Sequence, residues 1–196
     1  MNSYNDLYEI LNNISPISKE LWSEIKYKFK EKTIYKNDHL FKVDEDVKDF
    51  YFLLNGIARY YYLTPEGKDF NKAFAYKKGH LLSSISSVIG LEKSPFSVEI
   101  LSEEFTVLYI PYEDFISIAN ENLQWQKLTL KIYEHLIIKK ERRESDFLLL
   151  NATQRYEKFL EDYKEIVNIV PNYQIAAFLG ITQIALSRIR KEMLLT

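Results

Sequence analysis

The sequence predicts an α+β chain: an antiparallel β domain of sandwich, jelly-roll or barrel type, one long helix, and a helical C-terminal region. Three observations carry this reading. Short runs rich in Tyr, Phe, Ile and Val, punctuated by turn residues, recur between Phe29 and Pro111. A helical pattern then continues unbroken from Asn122 to about Leu150. Finally, Asn172 to Lys191 reads as two helices flanking a glycine turn. With 196 residues, 46% hydrophobic and 15% aromatic, the chain has material for two small domains with real cores.

Residues 1–28 carry helical spacing. Leu7, Ile10, Leu11 and Ile14 share one face, Ser15-Pro16-Ile17-Ser18 interrupts it, and Ser18 can cap a second helix bearing Leu21, Trp22 and Ile25. The β-type runs follow: EKTIYK, HLFKV, DFYFLL, GIARYYYLT, DFNKAFAY, FSVEIL and FTVLYI. Asn55-Gly56 predicts a tight hairpin turn, because both residues tolerate positive φ. Pro65-Glu66-Gly67-Lys68 and Lys78-Gly79 predict two further turns. Tyr112–Ala119 reads as a short helix. The long helix carries Trp125, Leu128, Ile132 and Leu136 at three- and four-residue steps, the spacing of a dimer seam. The alternative is a helix packed on its own domain, with KKERRE (139–144) as a solvated charged face. Asn151-Ala152-Thr153 reads as a break and cap, followed by a helix through Tyr163. The expected divisions are 1–121, 122–150 and 151–196.

Composition excludes several classes of chemistry. Zero cysteines remove disulfides, thiolate zinc sites, iron–sulfur clusters and thiol nucleophiles. His39, His80 and His135 are scattered, with no partner at metal-ligand spacing, and read as structural or surface residues. No metal or cofactor is expected. No nucleophile elbow, P-loop or paired-carboxylate motif is present, so an enzyme is the least supported class. Without a signal peptide or an apolar run of about 18 residues, the chain reads as soluble and cytoplasmic, with no membrane partner.

The most specific signal is NYQIAAFLGITQIALSRIRK, residues 172–191. Ile175 and Leu179 form the apolar face of a first helix, and Ala176 is small where two helices must cross. Gly180 supplies the permissive backbone of the turn. Thr182 can cap a second helix whose buried stripe is Leu186 and Ile189. This is the spacing of a DNA-binding helix-turn-helix. Gln183, Ser187, Arg188 and Arg190 then lie towards the exposed side, and Lys191 adds to the helix's basic charge. Arg suits guanine and Gln suits adenine, while Thr182 with the helix N-terminus suits a phosphate. From Val170 onward three cations face one carboxylate, a local charge of +2 within a chain of net charge -2.

The order of these parts resembles the CRP/FNR family of bacterial transcription regulators over nearly the whole chain. Besides the helix-turn-helix, DFYFLLNGIARYYYL resembles the family's hairpin segment, Gly79-His80-Leu81-Leu82 the start of its phosphate-binding cassette, and NATQRYEKFL the start of its DNA-binding domain. The resemblance implies a jelly-roll sensor domain, a dimerisation helix and a winged helix-turn-helix, with double-stranded DNA, a second copy and RNA polymerase as candidate partners. It also implies that Gln183, Ile184 and Arg188 occupy base-reading positions. Ala185 replaces a common phosphate-contacting Thr, and Ile184 replaces a polar reader. The sequence stops soon after the recognition helix, so no β-wing is evident.

The cassette departs from the family. Nucleotide-binding members place Gly-Glu, then an Arg-Ser/Thr pair, against the ribose and cyclic phosphate. Here Ser83-Ser84 and Ser94-Pro95 stand at those positions, and Leu82–Leu91 carries no charge. Losing the arginine forfeits a charge-assisted bond of about 1.5–3 kcal/mol. Lys140 and Glu141 stand where members offer hydroxyls to the base. The expectation is a homodimeric DNA-binding regulator unresponsive to cAMP, with Ser83, Ser84 and Ser94 as candidate contacts for an unidentified effector. Arg59 reads as an outward charge or as a group inside the barrel. The alternative function is a small-ligand sensor or protein-interaction module that does not bind DNA specifically.

Overall fold

The computed structural model describes residues 2–193. Two compact units emerge, one comprising Met1–Tyr60 with Phe74–Ile137 and the other Tyr61–Ala73 with Ile138–Thr196.

The first unit opens with helices α1 (Ser3–Ile14) and α2 (Lys19–Ile25). Ser18 caps α2 by accepting from the Leu21 amide at 3.2 Å, as its position in the sequence suggests. Strands β1 (Lys30–Tyr35), β2 (His39–Phe41), β3 (Asp49–Asn55), β4 (Ala58–Leu63), β5 (Asp69–Ala75) and β6 (Leu81–Leu82) follow. A single helical turn, α3 (Ile85–Val88), then precedes β7 (Ser97–Ile100), β8 (Glu104–Pro111) and α4 (Tyr112–Glu121). The strands form two four-stranded sheets, β1-β8-β3-β6 and β2-β7-β4-β5, not one closed barrel.

Strand alternation explains the two cores of this unit. On β3, Phe50, Phe52 and Leu54 join the helices, while Tyr51 and Leu53 face the interior between the sheets. On β8, Leu108 and Ile110 divide from Phe105 and Val107 in the same way. β3 is therefore buried on both faces, which is why it reads as a continuous apolar run.

Asn55-Gly56 is not a hairpin turn. β3 and β4 lie in different sheets, so the dipeptide forms a corner. Only Gly56 adopts positive φ there (+105°), and a Cβ on it would lie 2.6 Å from the Glu104 carbonyl oxygen. Glycine is required by that close approach, not by a two-residue turn. Arg59 is buried (7% exposed), its Nε donating to Glu99 Oε2 at 2.6 Å.

Helix α5 (Leu123–Leu149) is one unbroken helix of 27 residues. Trp125, Leu128 and Ile132 are fully or almost fully buried in the helical core of the first unit, with Leu136 partly buried against it. Trp125 Nε1 donates to the Phe115 carbonyl, and the indole packs on Phe29 and Phe115. The four residues expected to form a dimer seam thus serve this chain's own core. The reason is amphipathicity on two sides: Leu123, Leu130 and Ile137, seven residues apart, carry the exposed apolar line.

In the second unit α6 (Ala152–Asp162), α7 (Asn172–Leu179) and α8 (Gln183–Glu192) follow the end of α5. Asn151 and Gln154 form a reciprocal capping box on α6. The core contains Tyr156, Phe159, Ile175, Phe178, Leu179, Leu186 and Ile189. The distal part of the β4–β5 hairpin, residues 61–73, clusters with these helices.

Candidate nucleic-acid interface

The local sequence builds α7, its turn and α8 as the spacing predicts. Ile175, Ala176 and Leu179 are buried on α7, and Leu186 and Ile189 on α8. Gly180 ends α7 in the left-handed conformation (φ +70°), donating its amide to the Ala176 carbonyl. Thr182 caps α8, its hydroxyl accepting from the Ala185 amide at 3.1 Å.

With that stripe buried, Gln183, Ile184, Ser187, Arg188 and Lys191 are exposed, and Ile184 is 68% exposed. Together with Asn172 and Arg190, Gln183, Ile184 and Ser187 line an open groove of about 300 Å³. Arg190 is only half-exposed, and its Nη1 donates to Asn172 Oδ1 at 2.5 Å. That bond ties α8 to the start of α7, so Arg190 holds the two helices together as well as facing the groove. The exposed face offers an amide, a methyl-rich side chain, a hydroxyl and a guanidinium along one helix, the donor and apolar set that reads base edges.

Sequence reasoning missed the groups that hold this motif from behind. Asn71, on β5, donates its Nδ2 to the Gln174 carbonyl (2.8 Å) and to Gln174 Oε1 (2.6 Å), with both residues buried. Beside it, burial and the neighbouring Lys140 lower the Lys72 ammonium to about 8. Nothing local in DFNKAFAY marks Asn71 as a partner of a helix about a hundred residues away. Arg143, drawn from the KKERRE run, donates to the Phe178 carbonyl, and Arg155 donates to the Leu179 carbonyl at 3.2 Å.

The cassette residues in the first unit are differently engaged. Ser83 Oγ donates to the Asp49 carbonyl and Ser94 Oγ to the Phe96 carbonyl. Ser84 is fully buried, and its hydroxyl makes no hydrogen bond. The space between the sheets nearby holds Tyr60, Phe96, Leu82 and Val88. Tyr60 donates to the Leu81 carbonyl, and burial raises its phenol pKa far above the ordinary range. His39 is lowered by burial, and His80 Nδ1 accepts from the Tyr76 amide. Among the described residues no cluster of His, Asp or Glu could hold a metal, and no helix is long and apolar enough to cross a membrane. The expectation about a β-wing concerns the chain after residue 193, outside the described residues.

No family model matches the chain, and no curated protein matches it in sequence. Solved structures do match its fold. The c-di-GMP-responsive global regulator CLP of Xanthomonas campestris superposes with a TM-score of 0.71 at 12% identity, covering 90% of this chain and 91% of that one. A CRP/FNR-family transcriptional regulator from Eubacterium rectale gives 0.72 at 14% identity, over 95% and 87%. FixK2 from Bradyrhizobium japonicum gives 0.69 at 19% identity, over 84% of each chain. The chain therefore has the CRP/FNR fold: paired antiparallel sheets of the cyclic-nucleotide-binding type, a long helix and a C-terminal helix-turn-helix.

Proposed function

We propose that this chain is a homodimeric, sequence-specific DNA-binding transcription regulator that acts in the cytoplasm and does not respond to cAMP. The observation that carries the reading is the exposed row of Gln183, Ile184, Ser187 and Arg188 on a helix capped by Thr182 and set by the Gly180 turn. α8 enters the major groove, Arg188 pairs with guanine, Gln183 with adenine, and Ile184 packs on a thymine methyl. Thr182 and Lys191 contact phosphates, and RNA polymerase is a further partner at the promoter.

Two copies associate along α5. The exposed line of Leu123, Leu130 and Ile137 has the seven-residue spacing of such a seam, whereas Trp125, Leu128 and Ile132 are already committed to the core. A dimer presents its recognition helices to major grooves about 34–36 Å apart. A mobility shift with a site selected from random DNA tests the reading, comparing wild type with Arg188→Ala. Wild-type binding no better than random competitor at physiological salt would end it.

The cAMP expectation is supported by the uncharged Leu82–Leu91 segment and by the backbone bonds that occupy the Ser83 and Ser94 hydroxyls. Calorimetric titration with cAMP, cGMP and c-di-GMP tests it, and micromolar cAMP binding would overturn it. A second reading, a protein-interaction module, is favoured by the exposure of Ile184 and the modest local charge. Salt separates the two, because binding through phosphates weakens steeply as salt rises and an apolar contact does not.

A further inference from the structure

The exposed face of α8 carries one large apolar side chain. Ile184 is 68% exposed, while Leu186 and Ile189 of the same helix are buried in the core. It lines the open groove alongside the polar side chains of Asn172, Gln183, Ser187 and Arg190. Ile184 is the second residue of α8, two positions after the Thr182 cap. In a helix-turn-helix, the N-terminal residues of the second helix are the ones that meet base edges.

The major groove offers little to such a side chain. Guanine, adenine and cytosine present donors and acceptors there, and an isoleucine against them would remove their water without replacing the bond. The C5-methyl group of thymine is the apolar feature. Beside that methyl, the group at C4 separates thymine from cytosine, an O4 acceptor against an N4 donor. Isoleucine makes no hydrogen bond and does not distinguish the two. Ser187 is exposed and three residues further on, so its side chain shares a face with Ile184. A serine hydroxyl both donates and accepts, and it turns to suit its partner.

We propose that Ile184 and Ser187 together read a C5-methyl pyrimidine and accept thymine and 5-methylcytosine alike, so that methylation of a cytosine strengthens binding at that position. The inference rests on the DNA-binding reading and adds to it the modification state of the target. 5-Methylcytosine places the thymine methyl beside the cytosine amino group. Ile184 gains the same contact from either base, while Ser187 donates to O4 or accepts from N4. One methyl group removed from water is worth about fourfold in affinity.

The test uses a duplex selected from random sequence with the wild-type chain. Replacing each thymine in turn by deoxyuridine locates the one that faces Ile184. At that position four base pairs are compared: T·A with U·A, and 5-methyl-C·G with C·G, so that each comparison differs by one methyl group. Wild type is expected to bind the methylated member of each comparison about fourfold more tightly. Ile184→Ser is expected to bring both ratios below about 1.5-fold, and Ile184→Val to keep them. Circular dichroism checks the fold of both variants, and the wild-type comparisons carry the test if either fails to fold. A duplex in which no thymine methyl matters overturns the inference. A position where uracil weakens binding but 5-methylcytosine brings no gain also overturns it, because thymine alone is then read. Ratios that survive Ile184→Ser assign the methyl contact to another side chain and overturn it as well. In each of these cases the wild type still binds its selected duplex, and the DNA reading stands. A wild type that selects no duplex ends the DNA reading, and the inference with it.

Discussion

Replacing Asn71 with leucine tests the hidden support of α7 with the chemistry of a single amide. Asn71 Nδ2 makes two bonds to Gln174, at 2.8 Å to the backbone carbonyl and 2.6 Å to Oε1, and both residues are at most 3% exposed. A buried hydrogen bond contributes about 0.5–1.5 kcal/mol net, and a buried acceptor stripped of its donor costs about 1–3 kcal/mol. Asn71→Leu keeps the volume and removes both bonds, so the expected loss is about 1–3 kcal/mol. Native-state hydrogen exchange on the amides of Ile175–Leu179 reads this locally, since α7 is the element deprived of its partner. The double variant Asn71→Leu with Gln174→Met removes the Gln174 side-chain acceptor as well and should recover part of the loss. A single variant costing less than about 0.5 kcal/mol, or a double costing the sum of both singles, would refute the account.

Four other outcomes follow from the same structure. Gly180→Ala places a side chain at φ +70° and against the Phe147 ring, so it should lower the thermal midpoint, and Phe147→Ala in the same chain should return part of the loss. Thr182→Ala removes the α8 cap and should cost about 1 kcal/mol in urea unfolding, with Thr182→Ser neutral by comparison. Lys72 has a folded pKa of about 8 against an ordinary value of 10.5, so the unfolded chain binds more protons between those values. Stability should therefore rise with pH from about 8 to 10.5, and Lys72→Met should flatten that rise. Leu130→Glu combined with Ile137→Glu should shift sedimentation from dimer to monomer without altering the tryptophan environment, because both tryptophans lie in the core and both substituted positions face outward.

Features set by neighbours in sequence were legible. Ser18, Asn151 and Thr182 each cap the helix they precede, because a cap needs only a hydroxyl or amide two or three residues before an amide. Gly180 was legible for the same reason: a left-handed residue after a helix favours glycine whatever lies beyond. Asn55-Gly56 was misread because its composition suits a tight hairpin, while the strand pairing that decides between hairpin and corner is not local. β3 pairs with β8 and β6, so its chain neighbour β4 had to join the other sheet. Arg59 was ambiguous for a related reason. Its burial depends on Glu99 standing forty positions away as a charge partner, and an unpaired arginine there would have been too costly to bury.

Helix α5 shows where periodicity runs out. Steps of three and four residues through Trp125, Leu128, Ile132 and Leu136 establish an apolar stripe, and a stripe facing a second copy has the same spacing as one facing the chain's own sheet. What separates them is supply: β3 and β8 present a second apolar face that some helix must cover, and α1, α2, α4 and the first turns of α5 cover it. Once that obligation is met, Leu123, Leu130 and Ile137 remain as a line the chain's own core does not need, at the interval a parallel helix pair requires. The proposed dimer seam therefore lies on the other side of the helix, because the indole at Trp125 hydrogen-bonds the Phe115 carbonyl inside the core.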